Sequence, residues 1–334
     1  MRVRRVDRVL ALPLGLADLI LRNRLRSFIL RNLIVREKFD IVHVLECQHA
    51  GYLYEQAVKS IRQRPPAALS IWGSDLAWFG NSDSHKQQLR KLFDHVDLLF
   101  TECSRDQSLA RDLGYVGVFA ERLPASGGIG FELDGSSLQK WEVPSRRHGV
   151  VVKGYTGFVG KAWLALQALV DSRSLLSRFE ISIYSANWWM LIYVRYLRFR
   201  YRMQIVAYRK KSLTHAEMLS IYKTARVSLA VSMCDGFPGS AREAMWAGAF
   251  PIESIGSCVG EWLVEGKSCL LIDPAKPKSI AAALERALLD DALVNGAAEY
   301  NADLRSQLTV EHVRNSAVRE YHRVRRLQPA QRRN

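Results

Sequence analysis

Acidic residues are scarce in this chain. Thirty-three aspartates and glutamates face 48 lysines and arginines, for a formal net charge of +15 over 334 residues. That imbalance points to anionic partners, a membrane surface or nucleic acid. Long apolar runs are missing too: no 18-residue apolar stretch exists, which excludes a membrane-spanning helix. Pro13 and Asp18 interrupt the one apolar run near the start, so no signal peptide is read there. Five cysteines (47, 103, 234, 258 and 269) contain no Cys-x-x-Cys pair, and only His49 lies near one of them. That argues against a zinc site and for a reducing compartment. Glycine is nearly absent from residues 1–39, where Gly15 stands alone. No repeat and no low-complexity tract occurs. What remains is globular, with 48% apolar and 24% charged residues, a length for about two domains of roughly 150 residues each.

The most informative stretch is Met233-Cys-Asp-Gly-Phe-Pro-Gly-Ser-Ala-Arg-Glu-Ala-Met-Trp-Ala-Gly-Ala-Phe-Pro-Ile252. A short, partly β-branched run before it, Val227 to Val231, reads as a buried strand. Ser240 to Ala247 reads as a helix closed by Gly248, and Phe250-Pro-Ile as the next strand. Asp235 then falls on a strand-to-helix loop and Glu243 one turn into the helix. Gly236 and Gly239 allow close approach of the backbone to a ligand, and free N–H groups at the helix start favour a phosphate. Ser240-x-x-Glu243 also spells a capping box, which alone would make both residues helix punctuation. A capping box does not account for Asp235, for the two glycines, or for Gly260-Glu-Trp-Leu-Val-Glu-Gly-Lys267 beyond them.

These residues resemble the family 4 retaining glycosyltransferases of the GT-B fold. That family's signature has an acid, seven residues, then Glu-Ala-Met, a Gly shortly before a Pro, a Glu-Trp turn and an acid-Gly-Lys loop. Here they are Asp235, Glu243-Ala-Met, Gly248-Ala-Phe-Pro, Glu261-Trp and Glu265-Gly-Lys. The resemblance implies an α/β protein of two Rossmann-like, doubly wound parallel-sheet domains facing a cleft.

The rest of the chain agrees with strand–helix alternation. Residues 17–35 read as a basic helix of partial amphipathicity: Leu21, Leu25 and Phe28 share one face, while Ile20, Leu30 and Ile34 lie on the other. Strands follow at 39–45, 67–72 and 97–101, with helices at 49–62 and after the boxes Ser84-x-x-Gln87 and Ser104-x-x-Gln107. Ligands of such sheets sit beyond the carboxyl ends of the strands. That position is taken by the loops Glu46-Cys-Gln-His49 and Trp72-Gly-Ser-Asp75, where the family often has His-Gly-Ser-Asp, so Trp72 stands where that His would be. His49 and Asp75 are candidate catalytic residues on this basis, although a lone His49 also suits a helix start. The family's usual first strand and Gly-Gly loop are missing from residues 1–39, by truncation of the start or by divergence.

Domain boundaries are expected at 1–125 for the N-terminal domain, 126–148 for a linker, 149–308 for the nucleotide-sugar-binding domain and 309–334 for a terminal helix and basic tail. The second domain opens with the strand Gly149 to Lys153 and the loop Gly154-Tyr-Thr-Gly-Phe-Val-Gly160, leading into a helix at Lys161. A glycine loop at a helix start is a phosphate seat. The family's Lys falls on Lys161, but its Arg position is Tyr155, leaving Lys153 or Arg209 to serve.

By resemblance, Glu243 accepts hydrogen bonds from ribose hydroxyls, and Asp235 binds the transferred sugar. Lys161, with the backbone around Gly236, Phe237, Gly239 and Ser240, holds the leaving diphosphate. No Asp-x-Asp occurs, so no metal or other cofactor is expected beyond the nucleotide-diphosphate sugar itself. The expected partners are that donor, a glycan or lipid-linked acceptor in cell-envelope polysaccharide synthesis, and an anionic membrane surface. The expected location is cytoplasmic, peripheral on the inner face of the membrane. Basic stretches support the surface: nine arginines in residues 1–36, seven cations and no acid in 194–211, and seven arginines in 314–334. A solvated basic face would look the same. No helix-turn-helix, RNP or zinc signature supports nucleic acid. A catalytically idle relative that binds a nucleotide sugar or a partner enzyme stays open, as does a plain basic binding module.

Overall fold

The structure, a computed structural model, describes residues 24–129 and 142–327. The chain divides into two compact units. The first comprises residues up to Thr101, Asp106–Ala125 and the chain from Ala317 on; the second comprises Glu102–Arg105 and Ser126–Ser316.

In the first unit α1 (Arg24–Glu37) precedes β1 (Val42–Leu45), α2 (Tyr52–Val58), β2 (Ala67–Ser70), α3 (Gly73–Ala77), α4 (Asp83–Phe93), β3 (Leu98–Phe100), α5 (Ser104–Asp112, of which Ser104 and Arg105 count with the second unit) and β4 (Val118–Phe119). The four strands pair in parallel in the order β1-β2-β3-β4. Both β2 and β3 are wholly buried, as strands covered on two faces by helices must be. On α1, Ile34 and Leu30 pack into the core while Phe28 and Ile29 point outward. The helix thus gives the protein one of the two faces its pattern offers. Helix α4 starts at Asp83 without a side-chain cap, so the Ser84 box is not used. Residues 1–23, where the missing first strand and glycine loop were sought, lie outside the described residues.

The second unit runs β5 (Gly149–Lys153), α6 (Ala162–Asp171), α7 (Arg173–Leu176), β6 (Glu180–Ala186), α8 (Trp188–Tyr201), β7 (Ile205–Arg209), α9 (His215–Thr224) and β8 (Ala225–Leu229). It continues with α10 (Gly239–Ala247), β9 (Phe250–Ser254), β10 (Leu270–Ile272), α11 (Pro277–Leu289), α12 (Asp291–Tyr300), α13 (Ala302–Arg305) and α14 (Val310–Arg326). Helix α14 passes into the first unit at Ala317. All six strands are parallel, ordered β10-β9-β8-β5-β6-β7. The chain leaves β5 toward one edge, returns, and leaves β8 toward the other. Strands β5 and β8 therefore flank the topological switch point, where sheets of this kind bind ligands.

Residues 126–148 are less of a linker than their composition suggests. Ile129 N donates to Leu308 O at 2.7 Å, and Arg242 donates to Gly127 O at 2.7 Å and to Ser126 Oγ. At the other end, the buried Arg147 guanidinium donates to Ala225 O and Ala247 O. Both described ends of the segment belong to the second unit, because their polar backbone is taken up by that unit's own groups. Residues 130–141 lie outside the described residues. The cysteines also differ from the reading of five reduced thiols: Cys103 and Cys258 form a disulfide, 155 residues apart in sequence. Cys47, Cys234 and Cys269 are buried and take no part in a disulfide among the described residues.

Candidate active site

The loops after β5 and β8 run side by side. Lys161 N donates to Val231 O at 2.9 Å, Met233 N to Val159 O at 2.8 Å, and Gly160 bridges Ser232. This short antiparallel pairing fixes the glycine loop beside the loop that carries Asp235. Side chains 82 residues apart in sequence meet there: Lys153 Nζ lies 3.5 Å from Asp235 Oδ2. Burial is the largest influence on the Lys153 pKa and would lower it, but Asp235, Tyr184 and Glu253 together outweigh it and move the value upward. Arg105 holds the same loop by its backbone, donating to Asp235 O at 3.0 Å and Gly256 O at 2.8 Å. Gly236 leaves room for the Glu102 carboxylate, which accepts from Phe237 N at 3.2 Å and would have to shift if a Cβ were added there.

The capping box spelled by Ser240 and Glu243 does not form. Helix α10 starts after Pro238 with no side-chain cap. Ser240 Oγ instead donates to Glu253 Oε1 at 3.1 Å, in the interior. Glu243 Oε1 lies 3.2 Å from His215 Nε2. Both lie on the wall of a cavity of about 240 Å³, which Gly127, Gly128, Gly239 and Arg242 also line. Desolvation raises the Glu243 pKa, against the opposing pull of His215. Glu253, 1% exposed on the fully buried β9, is pushed up to about 8 by burial. The neighbouring charge of Lys153 opposes that rise, while the charge of Asp235 adds to it.

Other expected residues fall elsewhere. Phe237 is a core residue, 1% exposed and stacked on Trp262 at 4.9 Å, so its ring is not free to contact a ligand. Arg209 ends the edge strand β7, two strands away from β5; strand spacing alone puts about 10 Å between them. It does not join Lys153, and of the two candidates for the vacant Arg position only Lys153 sits at the switch point. Lys161 is the N-cap residue of α6, half-buried beside the glycine loop.

In the first unit, Asp75 is 3% exposed, and its Oδ2 accepts from Cys47 N and Trp72 N, each at 3.1 Å. It ties the two loops together as a structural acceptor rather than facing solvent as a base. Burial pushes its pKa up to about 6. The His49 side chain is 90% exposed, with Nδ1 3.0 Å from Glu46 Oε1. Sequence reasoning passed over Glu253 and His215. An acid inside a strand of a parallel sheet is a signal that could have marked Glu253, whereas nothing in the sequence pairs His215 with Glu243.

Residues 9–102 match the family described as Glycosyl transferase 4-like. No curated protein matches by sequence. Among solved structures, one described as trehalose-6-phosphate from E. coli bound with UDP-2-fluoro glucose has 14% identity and a TM-score of 0.69, covering 92% of this chain and 78% of that one. Sucrose-phosphate synthase from Thermosynechococcus elongatus has 14% identity and a TM-score of 0.68, covering 89% and 77%. Anabaena HepE in complex with UDP and glucose has 14% identity and a TM-score of 0.60, covering 88% and 79%. The two parallel α/β units, the switch-point loops and these likenesses identify a protein of the GT-B glycosyltransferase fold with a glycosyl transferase 4-like segment at residues 9–102.

Proposed function

We propose that this protein is a retaining, metal-independent glycosyltransferase that takes its sugar from a nucleoside diphosphate, with the donor held on the second unit. The observation that carries the reading is the 3.5 Å pair of Lys153 and Asp235 at the switch point, with Glu243 within reach of the Lys153 charge and uncommitted to helix capping. Glu243 would accept from the ribose hydroxyls, since an ionised carboxylate only accepts. Asp235 would face the transferred sugar. Lys153 and Lys161 would offset the charge that develops on the leaving diphosphate, an electrostatic contribution usually large in such chemistry. The bond from the sugar's anomeric carbon to the diphosphate oxygen breaks, the acceptor oxygen bonds the same face, and its proton passes to the departing oxygen. A uridine base is favoured because two of the similar structures are described with UDP or a UDP-sugar.

The acceptor would be a glycan or lipid-linked glycan of envelope polysaccharide synthesis, met at the cytoplasmic face of a membrane. The basic stretches support that part. Among the described residues no helix is long and apolar enough to cross a membrane. A catalytically idle donor-binding relative is the second reading, favoured by Trp72 and Tyr155 at positions where the family resemblance expects His and Arg. Calorimetric titration with UDP, UDP-glucose and GDP in EDTA, followed by an assay of donor hydrolysis, tests both. Tight UDP binding with turnover supports transfer, and binding without turnover supports the idle relative. Binding of no nucleoside diphosphate overturns both.

A further inference from the structure

Helix α8 breaks the rule for surface helices. Its inward residues Met190, Val194 and Leu197 are buried, as expected of a helix covering a sheet. Its outward face should then be polar. Instead Trp188 (61% exposed), Ile192 (44%), Tyr196 (50%) and Phe199 (88%) recur at helical spacing on the solvent side, with Trp189 (70%) at their flank. The helix's only charges are Arg195, Arg198 and Arg200, and no acidic residue occurs anywhere from Ile181 to Ala216. A helix apolar on both faces belongs in an interior, and here the second face has nothing over it among the described residues.

We propose that this face of α8 docks the second unit on an anionic lipid bilayer, with Trp188, Trp189 and Phe199 at the headgroup level and the arginines against lipid phosphates. Tryptophan and tyrosine suit that boundary because one end of the ring system is apolar and the other can be wet. Arginine stems lie along apolar surface while the guanidinium stays with phosphate. A second copy of the chain is a poor occupant, since identical faces would set arginine against arginine. Single-stranded nucleic acid calls for a charged groove that follows its backbone, and a convex helix with Ile192 among its rings offers none. The inference deepens the membrane part of the proposed function and rests on it. It shifts the contact from the N-terminal basic helix, whose Leu30 and Ile34 are spent on the core, to the donor-binding unit.

The test is flotation of the full-length protein with phosphatidylcholine vesicles, with and without about 30% phosphatidylglycerol. Lipid binding is the readout, so a negative result leaves donor binding, measured by calorimetry, standing or falling by itself. Wild type is expected to float with anionic vesicles only, and less so in high salt. Trp188→Ala/Trp189→Ala/Phe199→Ala should weaken lipid partitioning at least about tenfold, with an unchanged melting temperature because all three rings are exposed. Arg195→Glu/Arg198→Glu should lose binding to anionic vesicles while a Phe28→Ser/Ile29→Ser change on α1 has little effect. Undiminished flotation of the triple variant would overturn the proposal. So would failure of wild type to bind anionic vesicles, a dimer that the triple variant converts to monomer, or displacement of vesicles by single-stranded RNA.

Discussion

Lys153, the last residue of β5, and Asp235, on the loop after the neighbouring strand β8, place their charges 3.5 Å apart at the switch point of the second sheet. In the absence of donor each partly satisfies the other. A bound diphosphate would compete with Asp235 for Lys153, leaving the carboxylate to the sugar hydroxyls. Lys153→Met should therefore weaken UDP binding by about 1.5–3 kcal/mol, the range for a charge-assisted contact. Calorimetry on the variant checks this, and unchanged UDP affinity would remove Lys153 from the diphosphate.

The two carboxylates should separate by their readouts. Glu243→Ala should weaken both UDP and UDP-sugar, since ribose is common to the two. Asp235→Ala should spare UDP and lower kcat. A loss of about 1.5–3 kcal/mol is expected for each contact removed. Equal weakening of bare UDP by both substitutions would contradict the division.

Glu253 predicts an unusual pH dependence of stability. Its folded pKa of about 8 lies above the ordinary glutamate value of 4.5. The folded state thus holds the proton more tightly than the unfolded state between those values, and stability contributed by the group falls as pH rises from 4.5 through 8. Glu253→Gln, which keeps an acceptor for Ser240 but cannot ionise, should lose less stability than wild type between pH 5 and pH 8. Thermal melts across that window measure the difference. Parallel curves for the two proteins would place the group's titration elsewhere.

Asp75 should behave as a structural residue. Asp75→Ala leaves the Cys47 and Trp72 amides without their acceptor, at a cost of about 1–3 kcal/mol per buried group left unpaired. The melting temperature should fall while turnover per folded molecule, measured well below the transition, stays within a few-fold. A large loss of turnover in fully folded variant would restore it to the chemistry.

Phe237→Ala should destabilise by about 3–5 kcal/mol through the cavity left against Trp262. UDP affinity of the folded fraction should be unchanged. A specific loss of affinity without loss of stability would give the ring a part in donor binding beyond its packing.

The sequence alone determined the alternation of strands and helices, the glycine loop after β5, the acid-bearing loop after β8, and the helix closed by Gly248 in a left-handed conformation at φ 76°. These are local: periodicity, punctuation and backbone freedom act over a few residues. The same local rules left Ser240 and Glu243 open between helix punctuation and a ligand role, because a capping box states which bonds are available and not which are made. Tertiary structure decided that choice by setting Glu253 behind Ser240 and His215 beside Glu243. It also placed Lys153 and not Arg209 at the switch point, buried Phe237, and turned Asp75 inward. Each of those outcomes depends on strand order, on which residues share the carboxyl end of β5 and β8 and on which faces are covered. A parallel sheet sets those neighbours by crossover connections tens of residues long, so sequence spacing carries no trace of them.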